Sequence, residues 1–391
     1  MNNWKKIKIE EVCSFINGYA FDSNKYVQNG IQVIRITNVQ KGYISDTDKK
    51  FYKEEKELER YKLIEGDLLI SLTGNVGRVG VIKSENLPAY LNQRVSCVRI
   101  KNNNLLNKRF LFNFLNSDSF EKTCIKNSKG IAQKNISTVW LREIKIPLPP
   151  MEEQKKIAAR LDAVSDLLAK QKQLLSEQDT LIQSLFYDMF GNPIKNEKGW
   201  NSKKLSELGS LKNGINFQKN DNESDLYCLG VADFKDNKYI SDISALQKVP
   251  SKSVNLTEDL LKNGDIVFVR SNGNKALVGR CVAVYPNEEA VTFSGFCIRF
   301  RKSTTLIKTD YLLYFLKTPQ VRNALAGRGA NIQNLNQQIL SRVNILCPPL
   351  ELQQKFAAVA EQIESEKSKI KSTIAETQTL FNALMSEYFE E

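Results

Sequence analysis

Two aspartates recur in one setting. Asp67 lies in Leu63-Ile64-Glu65-Gly66-Asp67-Leu68-Leu69-Ile70-Ser71, and Asp265 in Leu261-Lys262-Asn263-Gly264-Asp265-Ile266-Val267-Phe268-Val269. Carboxylates on adjacent strands with a lysine nearby would suit a magnesium-dependent nuclease. A Gly-Asp pair just ahead of an apolar run is more simply a turn whose carboxylate caps backbone N–H groups, and that role is expected here. Histidine is absent altogether. That removes His general bases, Ser-His-Asp and Cys-His nucleophiles, HNH-like nucleases and most zinc enzymes.

A methyltransferase would need a glycine-rich cofactor loop and, for adenine, an Asn/Asp-Pro-Pro-aromatic tetrad. Leu148-Pro149-Pro150-Met151 and Cys347-Pro348-Pro349-Leu350 hold the prolines without the leading polar group or the aromatic. Asn75-Val76-Gly77-Arg78-Val79-Gly80 is too short for a phosphate-binding loop. The seven cysteines are dispersed and odd in number, so buried free thiols are expected rather than disulfides or a metal site. No catalytic, cofactor-binding or metal-binding residue is therefore assigned.

What remains is chemistry of contact. Arg35, Thr37 and Asn38 follow an early strand-like run. Asn75 and Arg78 in one half match the place of Arg270, Asn272, Asn274, Lys275 and Arg280 in the other. Asn92-Gln93-Arg94 faces a counterpart read as Thr292-Phe293-Ser294-Gly295. A second loop, basic and rich in amides, ends on Lys134 and Asn135, with Arg328, Asn331 and Gln333 in the matching stretch. Arginine and lysine pair with guanine edges, asparagine and glutamine with adenine. Gln93, Arg94 and the rest are thus candidate DNA contacts. For any single one, a phosphate contact or an ordinary turn role competes with base reading. Packing against a long helix competes for the second loop.

The elements that must position these groups come in duplicate. Trp4 recurs at Trp200, an offset of 196, and Pro149-Pro150 at Pro348-Pro349, an offset of 199. Gly66-Asp67, Val76-Gly77-Arg78 and Leu185–Phe190 have matches in the same order. Residues 1–150 and 191–349 mix short strands, Gly/Asn turns and a helical segment. After each Pro-Pro, which favours a helix start, apolar residues recur with 4-3 spacing. They are Ile157, Leu161, Val164, Leu168, Leu175, Ile182, Leu185 and Met189 in 151–190, and Ile363, Ile370, Ile374 and Phe381 in 350–391. Gln171, Gln178 and Lys367 fall in the same seam, suggesting register control or a wetter stretch.

The expectation is a tandem duplicate of α/β (α+β) domains separated by two long helices. Each helix would be about 60 Å long at 1.5 Å per residue. Their seams would pair as an antiparallel intramolecular coiled coil with pseudo-two-fold symmetry, which would present the two domains to duplex DNA as a dyad.

Charge is unevenly placed. The chain carries +12 overall. Residues 1–150 hold 25 Lys/Arg against 15 Asp/Glu, and residues 191–349 hold 22 against 14. The helical stretches hold 5 against 7 and 4 against 8. Basic domains joined by acidic helices fit two phosphate-contacting surfaces held apart. No apolar run approaches the roughly 18 residues of a membrane span, and the first residues lack the apolar core of a signal peptide.

These landmarks together resemble the specificity subunit of type I restriction–modification systems. The strongest is the repeated Pro-Pro-x-x-x-Gln-x-Lys junction, with Gln154 and Gln353, and the motifs span almost the whole chain. The resemblance implies two target recognition domains that grip the halves of a split DNA sequence, with the helices as ruler. It also implies partners: two methyltransferase subunits acting on adenine N6, and restriction/translocase subunits for cleavage. S-adenosylmethionine, ATP and magnesium would belong to those partners, none being bound by this chain. A bacterial or archaeal cytoplasm follows from the same resemblance. The alternatives are a specificity subunit whose partner fuses methyltransferase and nuclease, and a non-catalytic helical scaffold.

Overall fold

The computed structural model describes residues 4–130, 134–217, 225–235, 237–251, 254–255, 257–326 and 335–390, without the side chains of Lys275 and Ala326. The chain forms two compact units. Unit 1 is Met1–Gln173 with Lys371–Glu391, and unit 2 is Leu174–Ile370.

Unit 1 is built on a four-stranded antiparallel sheet in the order Cys13–Asn17, Val95–Ile100, Leu68–Ser71, Val79–Val81. Leu68–Ser71 is buried throughout, which explains its unbroken apolar run where a one-sided strand would alternate. A second sheet has Ile31–Ile34 between Phe51–Tyr52 and Ala89–Leu91, the latter pairing parallel. Helices Lys108–Leu115 and Asp118–Lys126 cover the first sheet. Each starts on an N-cap side chain, Asn107 accepting from Phe110 N and Ser117 from Phe120 N. Lys6–Lys8 pairs with Lys145–Pro147, which brings the chain to Pro149-Pro150 and into the next helix.

Unit 2 repeats the plan. Its sheet runs Gly209–Asn213, Cys297–Lys302, Asp265–Val269, Cys281–Val284, with Tyr239–Ile240 added in parallel at the edge. Leu226–Leu229 lies between Gln247–Val249 and Val291–Phe293. Ser202–Lys204 pairs with Asn344–Leu346.

The two longest helices are a central one, Met151–Phe190, and a C-terminal one, Leu350–Phe389. Both are divided between the units. Within unit 1, Ile157, Ala158 and Leu161 share a core with Met385, Tyr388 and Phe389, and Phe389 packs edge-on against Phe110 and Phe114. Arg160 Nη1 donates to Tyr388 Oη at 3.1 Å and Gln171 Nε2 to Thr377 Oγ1 at 3.2 Å. Numbering thus rises along one segment as it falls along the other. Within unit 2, Ile182, Phe186 and Phe190 join Phe356, Ala360 and Ile363 in a core with Tyr311 and Phe315.

Of the expected seam residues, Ile157, Leu161, Leu168, Ile182 and Ile363 are buried; Val164, Leu175, Ile370, Ile374 and Phe381 are half-buried. Near the end of the central helix the pattern needs correction. Phe186 and Phe190 are buried more deeply than the neighbouring seam positions Leu185 and Met189. There the helix also packs on the domain core, which widens its apolar face. Lys367 is only 5% exposed. Its ammonium donates to Asp179 at 2.5 Å and Glu364 at 3.2 Å. Glu364 also receives Lys238 at 2.6 Å and Tyr314 Oη at 3.1 Å.

Candidate nucleic-acid interface

The Gly-Asp turns are the foundation of both units. Gly66 and Gly264 share a φ of +84°, a conformation that side chains resist. Each following aspartate is buried and caps a backbone N–H, Asp67 that of Ile64 at 2.9 Å and Asp265 that of Lys262 at 2.7 Å. A two-pronged arginine from the adjacent strand completes the site. Arg99 reaches Asp67 with both bonds at 2.7 Å, and Arg301 reaches Asp265 at 2.9 and 2.7 Å. These carboxylates are consumed by structure, with no open face toward a metal or substrate. Among the described residues no group of three or more His, Cys, Asp or Glu side chains is placed to hold a metal. All seven cysteines are free, six of them buried. Burial pushes the Cys13 thiol up to about 12, which leaves it unreactive.

Gln154 and Gln353 are fully buried and act alike. Gln154 Oε1 accepts from Asn107 N at 2.8 Å while Nε2 donates to Leu105 O at 3.0 Å and Pro149 O at 2.8 Å. Gln353 makes the same three bonds to Lys308 N, Leu306 O and Pro348 O, at 2.8, 3.0 and 2.8 Å. Each glutamine therefore pins the first turn of a long helix to the loop that opens a domain helix. The side-chain amide fits this place with one carbonyl acceptor and two N–H donors.

On this frame the loops that carry the candidate contacts meet. In unit 1, Leu72 N donates to Arg94 O, Ile136 N to Leu72 O, Gly74 N to Lys134 O and Gln93 N to Tyr19 O, all at 2.8–2.9 Å. The result is a shallow polar depression of about 620 Å³ lined by Asn17, Gly18, Thr73, Gln93, Arg94 and Asn135 among others. Gly18 is required by close approach, since a Cβ there would stand 2.2 Å from Asn92 O. Thr73 Oγ1 bonds Asn135 Oδ1 at 3.2 Å. Asn75, Gln93, Arg94, Lys134 and Asn135 are exposed around it. These donors and acceptors match what base edges and phosphates ask for. Asn17 and Gly18 were not foreseen, and only their recurrence as Asn213-Gly214 marks them in the sequence.

The loop at residues 35–40 adjoins. Thr37 is exposed. Asn38 is fully buried, accepting from Arg35 N and donating to Ser45 O and Thr47 O. Its amide is spent on holding the loop, so it is withdrawn as a DNA contact. Arg35 is half-committed, its guanidinium bound to Asp48 at 2.6 Å, and Arg78 Nη1 donates to Gln40 Oε1 at 2.7 Å.

Unit 2 builds the same frame: Arg270 N donates to Phe296 O and Leu335 N to Arg270 O, both at 2.8 Å, and Gly214 abuts Ser294 as Gly18 abuts Asn92. The bonds correct one alignment. The counterpart of Asn92-Gln93-Arg94 is Ser294-Gly295-Phe296, shifted from the stretch assigned by sequence, and Phe296 is 56% exposed where Arg94 stands in unit 1. The preceding loop is also longer, running from Arg270 to Val278 where unit 1 runs from Leu72 to Val76. Asn272 and Asn274 shape it by accepting from Asn274 N and Ala276 N. Arg280 Nη1 donates to Lys235 O at 2.9 Å. Arg328, Asn331 and Gln333, and the side chain of Lys275, lie outside the described residues.

The duplicated α/β frame presents cations and amides on loops at its strand ends, the groups that nucleic-acid backbones and base edges engage. The model of the type I restriction modification DNA specificity domain matches twice, over residues 1–177 and 197–377. The chain belongs to that family, as a specificity subunit without catalytic function of its own. It is 24% identical over 402 residues to the StySPI specificity subunit of Salmonella potsdam, covering 97% of this chain and 86% of the relative. The MjaVIII specificity subunit of Methanocaldococcus jannaschii is 33% identical over 193 residues, 47% of this chain and 45% of that one. The crystal structure of the S subunit from M. genitalium superposes with a TM-score of 0.59 at 15% identity, covering 100% and 98% of the two chains. A chain solved for the complex assembly and conformational transition of a type I R-M system gives 0.60 at 20% identity, with the same coverage. Among the described residues no helix is long and apolar enough to cross a membrane.

Proposed function

We propose that each unit reads one half of a split duplex target and that the chain delivers partner subunits to it. Those partners are two methyltransferase subunits, which methylate adenine N6, and restriction/translocase subunits. S-adenosylmethionine, ATP and magnesium serve the partners, and the setting is a bacterial or archaeal cytoplasm. The central and C-terminal helices pair as an antiparallel coiled coil that relates the units by a pseudo-two-fold axis and sets the gap between half-sites.

One observation carries this reading. The Gly-Asp-Arg fork and the buried glutamine are repeated bond for bond, whereas the exposed side chains on the loops they support differ between copies. A constant frame with differing tips is what two domains reading different sequences require.

A gel-shift salt titration of the assembled complex tests it. Preference for one bipartite duplex is expected, with nonspecific binding falling by about 10³–10⁵ between 50 and 200 mM salt if six to ten phosphates are contacted. Salt-insensitive or absent binding with partners present overturns the assignment and favours a scaffold.

A further inference from the structure

We propose that Phe296 is a base-reading residue of unit 2 that contacts the C5-methyl group of a thymine in the major groove. The inference rests on the DNA-reading assignment above and adds a chemical class of target to one residue.

Phe296 stands apart from the residues on either side of it. Its neighbours Phe293 and Cys297 are completely buried, yet its own side chain is 56% exposed. The backbone beneath it is held firmly, with Phe296 N donating to Ser294 Oγ at 3.3 Å and its carbonyl accepting from Arg270 N at 2.8 Å. A partner that covered this ring would gain the free energy of burying its apolar surface.

The repeat shows what kind of partner. Arg94 holds the same frame position in unit 1, exposed at the rim of the polar depression, with its carbonyl accepting from Leu72 N at 2.9 Å. Two adjacent strand ends thus carry one cation and one apolar residue in each unit, with the places exchanged. Unit 1 has buried Leu72 and exposed Arg94; unit 2 has half-buried Arg270 and exposed Phe296. The exchange keeps a positive charge at the site and changes only what stands outermost. In the major groove an arginine at such a position finds the two acceptors of guanine. The apolar feature displayed there by a base edge is the thymine methyl, to which phenylalanine is suited.

The test uses the assembled complex. Its target is first read as the methylated motif in host DNA. Duplexes carrying that target are then prepared with each thymine, on either strand, replaced in turn by deoxyuridine, which removes only the methyl group. At one position of one half-site the wild type is expected to lose about fourfold in affinity, the worth of one buried methyl group. The Phe296→Ala complex should show a loss of at least that size on the unmodified duplex and be indifferent to uracil at that position. Arg94→Ala should weaken recognition of the opposite half-site and leave the uracil response intact.

A unit 2 half-site lacking thymine overturns the proposal, as do unchanged affinity in Phe296→Ala or losses from the two changes that simply add. If the wild type shows no sequence preference at all, the DNA-reading assignment itself falls, and this one with it. Because Phe296 is exposed, its replacement leaves the core intact, and circular dichroism of the variant checks this.

Discussion

The side chains that looked most reactive in the sequence are among the most thoroughly tied down. Asp67 and Asp265 each receive a backbone N–H and both arms of a guanidinium, so their charge is matched and shielded. Arg99→Ala would leave the Asp67 carboxylate buried without its counter-charge, at a cost of about 2–4 kcal/mol; the partial exposure of the arginine keeps this below the full penalty for a buried pair. Arg301→Ala should behave alike, and lysine at either position should rescue little, since it lacks the fork. Urea unfolding of the full chain checks both, and a loss under about 0.5 kcal/mol would contradict the structural role. The turn was legible because Gly-Asp before an apolar run has a local cause. Its arginine was not, because Arg99 lies 32 residues away and is brought in only by strand pairing. Asn38 misled for the converse reason, since a polar turn residue serves a loop or a ligand equally well until its burial is known. Phe296 was missed because the longer loop before it and the differing loop tips left the alignment there unanchored.

At the level of elements, the long helices were readable from prolines that favour a helix start and from a sustained 4-3 apolar spacing. What spacing could not convey was that Phe186, Phe190 and Phe389, one position off the apolar seam, complete the cores of the units. Nor could it show that Lys367 is the hub of a charge network within unit 2. Burial pushes the Asp179 and Glu364 carboxyls up, but their lysine contacts more than offset this and hold both below the usual range. Burial likewise disfavours the Lys367 ammonium, yet its two carboxylates raise it overall. Depressed carboxyls contribute stability that is present above their ordinary value, about 4, and lost as pH falls through the lower folded one. The raised lysine contributes below about 10.4 and loses that contribution only as pH climbs through its higher folded value. The network should therefore hold across neutral pH and fail in acid. Lys367→Met is expected to cost about 1–2 kcal/mol at pH 7, a figure discounted for the exposure of Asp179, and less at pH 3, below the ordinary range of both carboxyls. Hydrogen exchange of unit 2 amides at the two pH values reads this directly. An equal loss at both would mean that packing, not charge, keeps Lys367 in place.

For the molecule as a whole, the duplication and the uneven charge were the clearest messages in the sequence. They led to two basic readers carried by acidic helices, and the repeated family match agrees with the duplication. The division of each long helix between two compact units was not legible, since that depends on contacts between residues some 200 positions apart. The central claim is that one unit answers for one half of the target. It is tested most directly by methylation-sensitive sequencing of host DNA carrying the complete system, with either the wild-type chain or a variant in which Asn75, Gln93 and Arg94 are changed to alanine. A gapped motif with two defined blocks is expected for the wild type, and in the variant loss of definition in one block with the other block and the gap length unchanged. An uninterrupted motif, or simultaneous change in both blocks, would contradict it.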